Sequence, residues 1–105
     1  MKTINKVIFL ALFLSTAQAN VVCDMPRDQA KSDLKQNLLN RYGSSYSTVN
    51  MLLKAGMRDY DTICKVPNNS ISNGILKDLN SRYYPSFSTI LMLYKSNIKS
   101  YNELN

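Results

Sequence analysis

The sequence predicts an all-α protein, in which one small domain follows a signal peptide. Two observations lead to this prediction. Apolar residues in the segment 20–105 recur at the spacing of a helix rather than a strand. The same segment aligns with itself, without a gap, at a shift of 41 residues. We therefore expect two tandem copies of a three-helix unit, residues 23–63 and 64–105, packed into one small domain.

The first 19 residues have the layout of a secretory signal peptide. Two lysines precede an apolar run, residues 7–14, and Ala17 and Ala19 supply the small-residue cleavage pattern. This run is too short to span a bilayer. We expect cleavage after residue 19, so that residues 20–105 form an exported domain that is periplasmic or secreted and not membrane-spanning.

The repeat pairs identical residues at twelve positions along the domain. These pairs are Cys23/Cys64, Pro26/Pro67, Leu38/Leu79, Arg41/Arg82, Tyr42/Tyr83, Ser45/Ser86, Ser47/Ser88, Thr48/Thr89, Met51/Met92, Leu52/Leu93, Lys54/Lys95 and Tyr60/Tyr101. Neither copy alone has enough structure to bury its apolar face, so we expect both to share one core.

The first helix of each copy is predicted from apolar residues four positions apart, which lie on one face of a helix. They are Ala30, Leu34, Leu38 and Tyr42, matched by Ile71, Ile75, Leu79 and Tyr83. Ser45 and Ser86 are the predicted N-caps of the second helix.

We expect the second helix to end at Gly56 in one copy and Asn97 in the other, because these residue types best tolerate the left-handed conformation after a helix. A short third helix would then complete each unit. Its apolar residues are Met57, Tyr60 and Ile63, matched by Ile98, Tyr101 and Leu104.

Cys23 and Cys64 are the only cysteines. Export places both thiols in an oxidising compartment, where an even number of cysteines in a small domain usually pairs. We predict one intramolecular disulfide, with Cys64 at the junction of the two copies. A reactive or intermolecular thiol is the alternative.

The composition excludes several kinds of catalytic and metal site. Without histidine there is no Ser–His–Asp triad, no Cys–His pair and no His-ligated metal. Asp59 and Asp61 lie close in sequence, but helical residues two apart do not face each other. The three glycines are isolated and form no phosphate-binding loop. We therefore expect no enzyme activity, no metal and no cofactor.

Three positions of the repeat are basic in both copies, and none is acidic in both. The pairs are Arg41/Arg82, Lys54/Lys95 and Arg58/Lys99. Lys54 and Lys95 suit the dipole near a helix C-terminus, whereas Arg58 and Lys99 would lie in the first turn of the third helix, where a cation is mildly unfavourable. This repeated basic surface is a candidate binding surface for an acidic partner. Solvated charge is the alternative and the default for basic residues on helices.

Residues 90–94 are apolar on every side of their helix. Such a helix is either buried or contacts a partner. Burial is the favoured interpretation. In the alternative, Leu91 and Met92 anchor a homodimer or partner interface.

The leading hypothesis is a small exported binding module that acts by protein–protein interaction, as an inhibitor, an immunity factor or an accessory subunit of an envelope complex. Its partner would be another envelope or extracellular protein with an acidic surface, and nucleic acid is not expected. The alternative is a secreted cationic effector or toxin that acts on anionic envelopes through the 90–94 helix. Burial or display of Leu91 and Met92 distinguishes the two hypotheses.

Mass spectrometry of the exported protein under non-reducing conditions should show a Cys23–Cys64 linkage within one chain. Replacing both cysteines by serine should lower the free energy of unfolding by about 4 kcal/mol, because the link restricts a loop of about 40 residues in the unfolded chain. Free thiols, or a disulfide-linked dimer as the main species, would contradict the prediction.

Overall fold

The computed structural model describes residues Asn20–Asn105, so the predicted signal peptide lies outside the described residues. Within that segment there are five helices and no strand, which confirms the all-α prediction. The helices are α1 Val21–Asp24, α2 Arg27–Tyr42, α3 Tyr46–Ile63, α4 Ser70–Tyr83 and α5 Phe87–Leu104. None of these helices is long and apolar enough to cross a membrane.

The four long helices form two helical hairpins. α2 packs against α3, and α4 packs against α5, because the connections 43–45 and 84–86 are too short to separate consecutive helices. The two hairpins meet mainly along α3 and α5, while the short α1 packs against α4 and α3. The result is one compact domain.

All five helices contribute buried residues to a single apolar core. Its buried members are Val22, Ala30, Leu34, Leu38, Val49, Met57, Tyr60, Ile63, Leu76, Leu79, Phe87, Ile90, Leu91 and Tyr94. Phe87 is fully buried between two aromatic rings, with centroid distances of 5.0 Å to Tyr60 and 5.6 Å to Tyr84. Both pairs have the edge-to-face geometry that aromatic rings favour.

The predicted third helix of each unit does not exist as a separate element. α3 continues through Gly56, and α5 continues through Asn97, so each 41-residue copy contributes two long helices rather than three. The side chain of Asn97 donates to the carbonyl of Leu93, one turn earlier in the same helix.

Gly56 serves close packing instead of ending a helix. It is buried, and a Cβ atom built on it would lie 2.5 Å from Cδ2 of Leu34 on α2. The missing side chain therefore lets Leu34 approach α3. The glycine that does end a helix is Gly43, which has a φ of 56° and donates its N–H to the carbonyl of Leu39 at 2.9 Å.

Ser45 and Ser86 occupy the predicted N-cap positions of α3 and α5, but neither side chain makes a capping hydrogen bond. The connection before Ser86 contains a cis peptide bond between Tyr84 and Pro85.

The cysteine pair joins α1 to the end of α3. The sulfur atoms of Cys23 and Cys64 lie 2.07 Å apart, at disulfide distance, and the Cα atoms lie 5.6 Å apart. Asn20 strengthens this junction, since its amide donates to the carbonyl of Ile63 at 3.1 Å and its side-chain oxygen accepts from the N–H of Val22 at 3.0 Å.

Two glycine-to-alanine variants test the role of Gly56. Gly56→Ala should lower the free energy of unfolding by about 1 kcal/mol, because Leu34 is itself buried in the core and moving its Cδ2 methyl away costs more than the better helix propensity of alanine contributes. Gly74→Ala is the matched control, since Gly74 lies in α4 with nothing within 4 Å of an added Cβ. It should raise the free energy by about 0.5–1 kcal/mol in chemical denaturation. Equal stabilisation by both variants would show that Gly56 does not serve the helix contact.

Candidate functional site

A groove of about 350 Å³ runs between α2 and α3. Its lining residues are Arg27, Lys31, Asn50, Leu53, Lys54, Met57, Arg58 and Asp61. Four of these eight residues are cations, and one is a carboxylate. The groove is therefore a concave and strongly cationic part of the surface, which we call the cationic groove.

Helical periodicity places the cations in two facing rows. Arg27 and Lys31 lie one turn apart on α2, and Lys54 and Arg58 lie one turn apart on α3. Between the rows, the half-buried Leu53 and the buried Met57 contribute apolar surface. The groove thus combines charged walls with an apolar base.

The carboxylate of Asp61 pairs with Arg27 at one end of the groove. Arg27 donates through Nε and Nη2 to the two oxygens of Asp61, at 2.9 and 3.0 Å. This bidentate hydrogen bonding lowers the pKa of Asp61 and raises that of Arg27. Asp61 is consequently ionised at neutral pH, and its charge balances that of Arg27.

The other three cations of the groove have no such partner. Lys31, Lys54 and Arg58 form no ion pair with any residue in the segment 20–105. All three side chains are exposed. The groove therefore carries about three uncompensated positive charges, which a bound anion would balance.

The basic lining of this groove is not repeated in full in the second copy. The duplicated basic positions are present in both hairpins, yet Arg27 and Lys31 correspond to Asn68 and Ser72 in the second copy. There, Ser72 and Tyr94 are buried and share a hydrogen bond of 2.8 Å. The two copies therefore do not present the same basic surface at this place, because the second copy lacks the equivalents of Arg27 and Lys31.

The position of Arg58 also differs from the prediction. α3 begins at Tyr46, so Arg58 lies in the second half of a continuous helix and not in a first turn. Lys99 occupies the equivalent place in α5. Lys54 and Lys95 lie near the middle of their helices, so the dipole of a helix C-terminus does not account for them.

Arg41 and Arg82 lie away from the cationic groove. The guanidinium of Arg41 lies 5.9 Å from the ring centroid of Tyr42 and borders a smaller cavity of about 170 Å³ next to the start of α5. Arg82 pairs with Asp78 on α4 at 3.4 Å, and both side chains are exposed. These two arginines therefore form no common site.

Leu91 and Met92 have different environments. Leu91 is buried, with an exposed fraction of 7 %, whereas Met92 is 62 % exposed. Leu91 belongs to the same helix face as Phe87 and Tyr94, which packs in the core. The burial of Leu91 agrees with the favoured interpretation of this helix, and the alternative interface would have only Met92 as an exposed anchor, because adjacent helical residues point in different directions.

Two other polar contacts join the hairpins instead of forming a reactive site. The phenol of Tyr84 donates to Asp33 on α2 at 2.5 Å, and the hydroxyl of Ser88 donates to Asp59 on α3 at 2.6 Å. Burial, followed by the hydrogen bond to Asp33, raises the pKa of Tyr84. In the described part of the chain, no group of three metal-ligating side chains occurs.

The chain matches no protein-family model, no curated protein and no solved structure. The function is therefore inferred from the residues and geometry of this chain alone.

Tyr84 should make the fold sensitive to alkaline pH. Its pKa in the folded state lies above the ordinary value of 10, so the folded state keeps a proton that the unfolded state loses. The stability that Tyr84 contributes is thus present below pH 10 and is lost as the pH rises above it. In denaturation series from pH 8 to 11, Tyr84→Phe should make this loss less steep.

At neutral pH, Tyr84→Phe should also lower the free energy of unfolding by about 1 kcal/mol, because Asp33 loses its hydrogen-bond donor. Tyr46→Phe is the control, since this ring is 69 % exposed and its hydroxyl has no partner to lose among the hydrogen bonds of the described residues. It should leave the neutral-pH stability unchanged. An identical pH slope for wild type and Tyr84→Phe would contradict the assignment.

Proposed function

We propose that this chain is an exported binding module and that its cationic groove binds an acidic segment of another envelope or extracellular protein. The main support is that Lys31, Lys54 and Arg58 line the same groove and that none of them forms an ion pair with a carboxylate of the described residues. Like charges held together repel each other, so an acidic ligand relieves that repulsion while it gains attraction.

The groove also supports a preference among acidic ligands. Its walls offer two lysines and an arginine, while Leu53 and Met57 offer apolar surface between them. A peptide that alternates acidic and apolar side chains fits both features. Arg58 adds directional hydrogen bonding, because a guanidinium binds a carboxylate through two parallel donors.

Duplication and divergence of a helical hairpin account for the single groove. The bounds of α3 and α5 are related by the same shift of 41 residues that relates the sequences. After duplication, the first copy acquired or kept Arg27 and Lys31, while the second has Asn68 and the buried Ser72, which bonds to Tyr94. In this proposal, the domain consists of two related hairpins and has one binding site.

Export is supported by two independent features. Residues 1–19 have the pattern of a signal peptide. Cys23 and Cys64 lie at disulfide distance, which is typical of proteins that fold in oxidising compartments. An inhibitor, an immunity factor and an envelope accessory subunit all act there by occupying the surface of another protein.

A binding role suits the carboxylates better than a catalytic role. Asp61 is held by Arg27, and Asp59 accepts a hydrogen bond from Ser88. A glycosidase would need one carboxyl group held protonated in an apolar site, whereas the pKa of Asp61 is lowered. The alternative of a cationic toxin loses support from the burial of Leu91, which leaves Met92 as a single exposed anchor.

Charge variants of the groove test the proposal with a fluorescent peptide of alternating glutamate and leucine as the probe. Arg58→Glu should weaken binding about tenfold or more, which corresponds to about 1.4 kcal/mol. Asp61→Asn should strengthen it several-fold, because it frees Arg27 from its pair. Added salt should weaken wild-type binding, since exposed charges are screened over about 8 Å at physiological ionic strength.

Lys99→Glu is the matched control for Arg58→Glu. It makes the same change in net charge at the equivalent position of α5, outside the cationic groove. Its effect on peptide binding should be small, and both variants should keep wild-type stability within about 0.5 kcal/mol. Equal weakening by both would show that net charge alone attracts the peptide. Leakage of dye from anionic vesicles would support the toxin alternative.

A further inference from the structure

The contact between the two hairpins is asymmetric at the first residue of each long second helix. Phe87, the first residue of α5, is fully buried against Tyr60 in the second half of α3. The counterpart of Phe87 in the first hairpin is Tyr46, the first residue of α3, and it is 69 % exposed. The second hairpin therefore buries the first residue of its long helix against the first hairpin, while the equivalent residue of the first hairpin stays exposed.

The receiving surface is likewise filled in one hairpin and open in the other. In the first hairpin, Tyr60 is 4 % exposed and contacts Phe87, and Ile63 is fully buried less than one turn further along α3. The segment before α2 also contacts this surface, through hydrogen bonds of Met25 with Tyr60 and of Asn20 with Ile63. Their counterparts in α5 are Tyr101, which is 39 % exposed, and Leu104, which is 85 % exposed. The domain thus carries an unfilled receiving surface at one end and an uninserted aromatic residue at the other.

We propose that two copies of this chain associate head to tail, with Tyr46 of one molecule packed on Tyr101 and Leu104 of the next. Tyr46 and Tyr101 are related to Phe87 and Tyr60 by the same shift of 41 residues. The placement that seats Phe87 on Tyr60 within a chain therefore seats Tyr46 on Tyr101 between chains. The new contact continues the existing interface between hairpins, as stacked repeats do.

The residues around the two contacts differ in a complementary way. In the internal contact, Phe87 and the buried Gly56 border the same small cavity. In the intermolecular contact, the inserted ring is a tyrosine, and Gly56 is replaced by the exposed Asn97. The phenol hydroxyl of Tyr46 and the side-chain amide of Asn97 have the donor and acceptor groups for a hydrogen bond, so the polar end of the tyrosine would face a polar residue.

The intermolecular contact is weaker than the internal one. The internal contact includes hydrogen bonds from Tyr84 to Asp33 and from Ser88 to Asp59. The corresponding pairs between chains are Gly43 with Gly74 and Ser47 with Ser100, which lack the carboxylates. Association is therefore reversible and rises with protein concentration. Because the contact joins two different surfaces, it produces open stacks or closed rings and not an isologous dimer.

Sedimentation velocity of the exported protein over a concentration series tests the association. Wild type should shift from monomer to larger species as concentration rises. Tyr46→Asp removes the inserted ring, and Leu104→Asp places a charge on the receiving surface. Each variant should remain monomeric up to millimolar concentration. Both positions are exposed, so circular dichroism and melting temperature should match those of wild type. Met92→Asp, at an equally exposed position outside the contact, should associate as wild type does.

Mixing the two monomeric variants gives the decisive result. Tyr46→Asp keeps an intact receiving surface, and Leu104→Asp keeps an intact inserted ring, so the mixture should form a 1:1 dimer and nothing larger. An isologous interface would instead stop at a dimer in the wild type. A wild-type protein that stays monomeric at millimolar concentration, or a mixture that stays monomeric, would overturn the proposal. The cationic groove is not involved, so failure here leaves the peptide-binding result unaffected.

Discussion

The burial of Phe87 is the contact on which the rest of the domain depends. The buried apolar residues of both hairpins form one cluster, and this ring is the point where the start of α5 enters the apolar face of the first hairpin. Removing such a side chain from water contributes about 2 kcal/mol, and the edge-to-face contacts with Tyr60 and Tyr84 add to that value. The hydrogen bonds from Tyr84 and Ser88 then fix the orientation in which α5 crosses α3.

This arrangement assigns different roles to the two faces of the first hairpin. One face, which includes Leu34 and Gly56, receives the start of α5. The other face is the cationic groove, which remains open to solvent. In the second hairpin, the equivalents of Lys31 and Leu53 are Ser72 and Tyr94, which are buried and hydrogen-bonded, while Tyr101 and Leu104 are exposed. The two hairpins thus differ in which surfaces are buried and which are exposed.

The sequence predicts the helices better than it predicts the site. Four-residue spacing of apolar side chains identifies α2 and α4, and the repeat transfers the bounds of α3 to α5. The predicted helix end at Gly56 is wrong because glycine occurs both where a helix ends and where two helices approach closely. The sequence alone does not distinguish these two uses, whereas the position of Leu34 in the structure does. Arg27 and Lys31 are not among the predicted binding residues for a related reason. A search for positions that are basic in both copies cannot find a groove that only one copy retains.

Assembly and binding are compatible, because the proposed contacts use different surfaces. Tyr46 and Leu104 lie outside the lining of the cationic groove, so a head-to-tail stack leaves one open groove on every molecule. On the proposed function, a single groove with three uncompensated cations would bind an exposed acidic segment only modestly, since exposed charge pairs are worth little in water. Several grooves on one stack would act together on a partner with repeated acidic segments, and each further contact would then form at a high effective concentration. Weak self-association would in this way convert a modest binding site into an effective one wherever the exported protein accumulates.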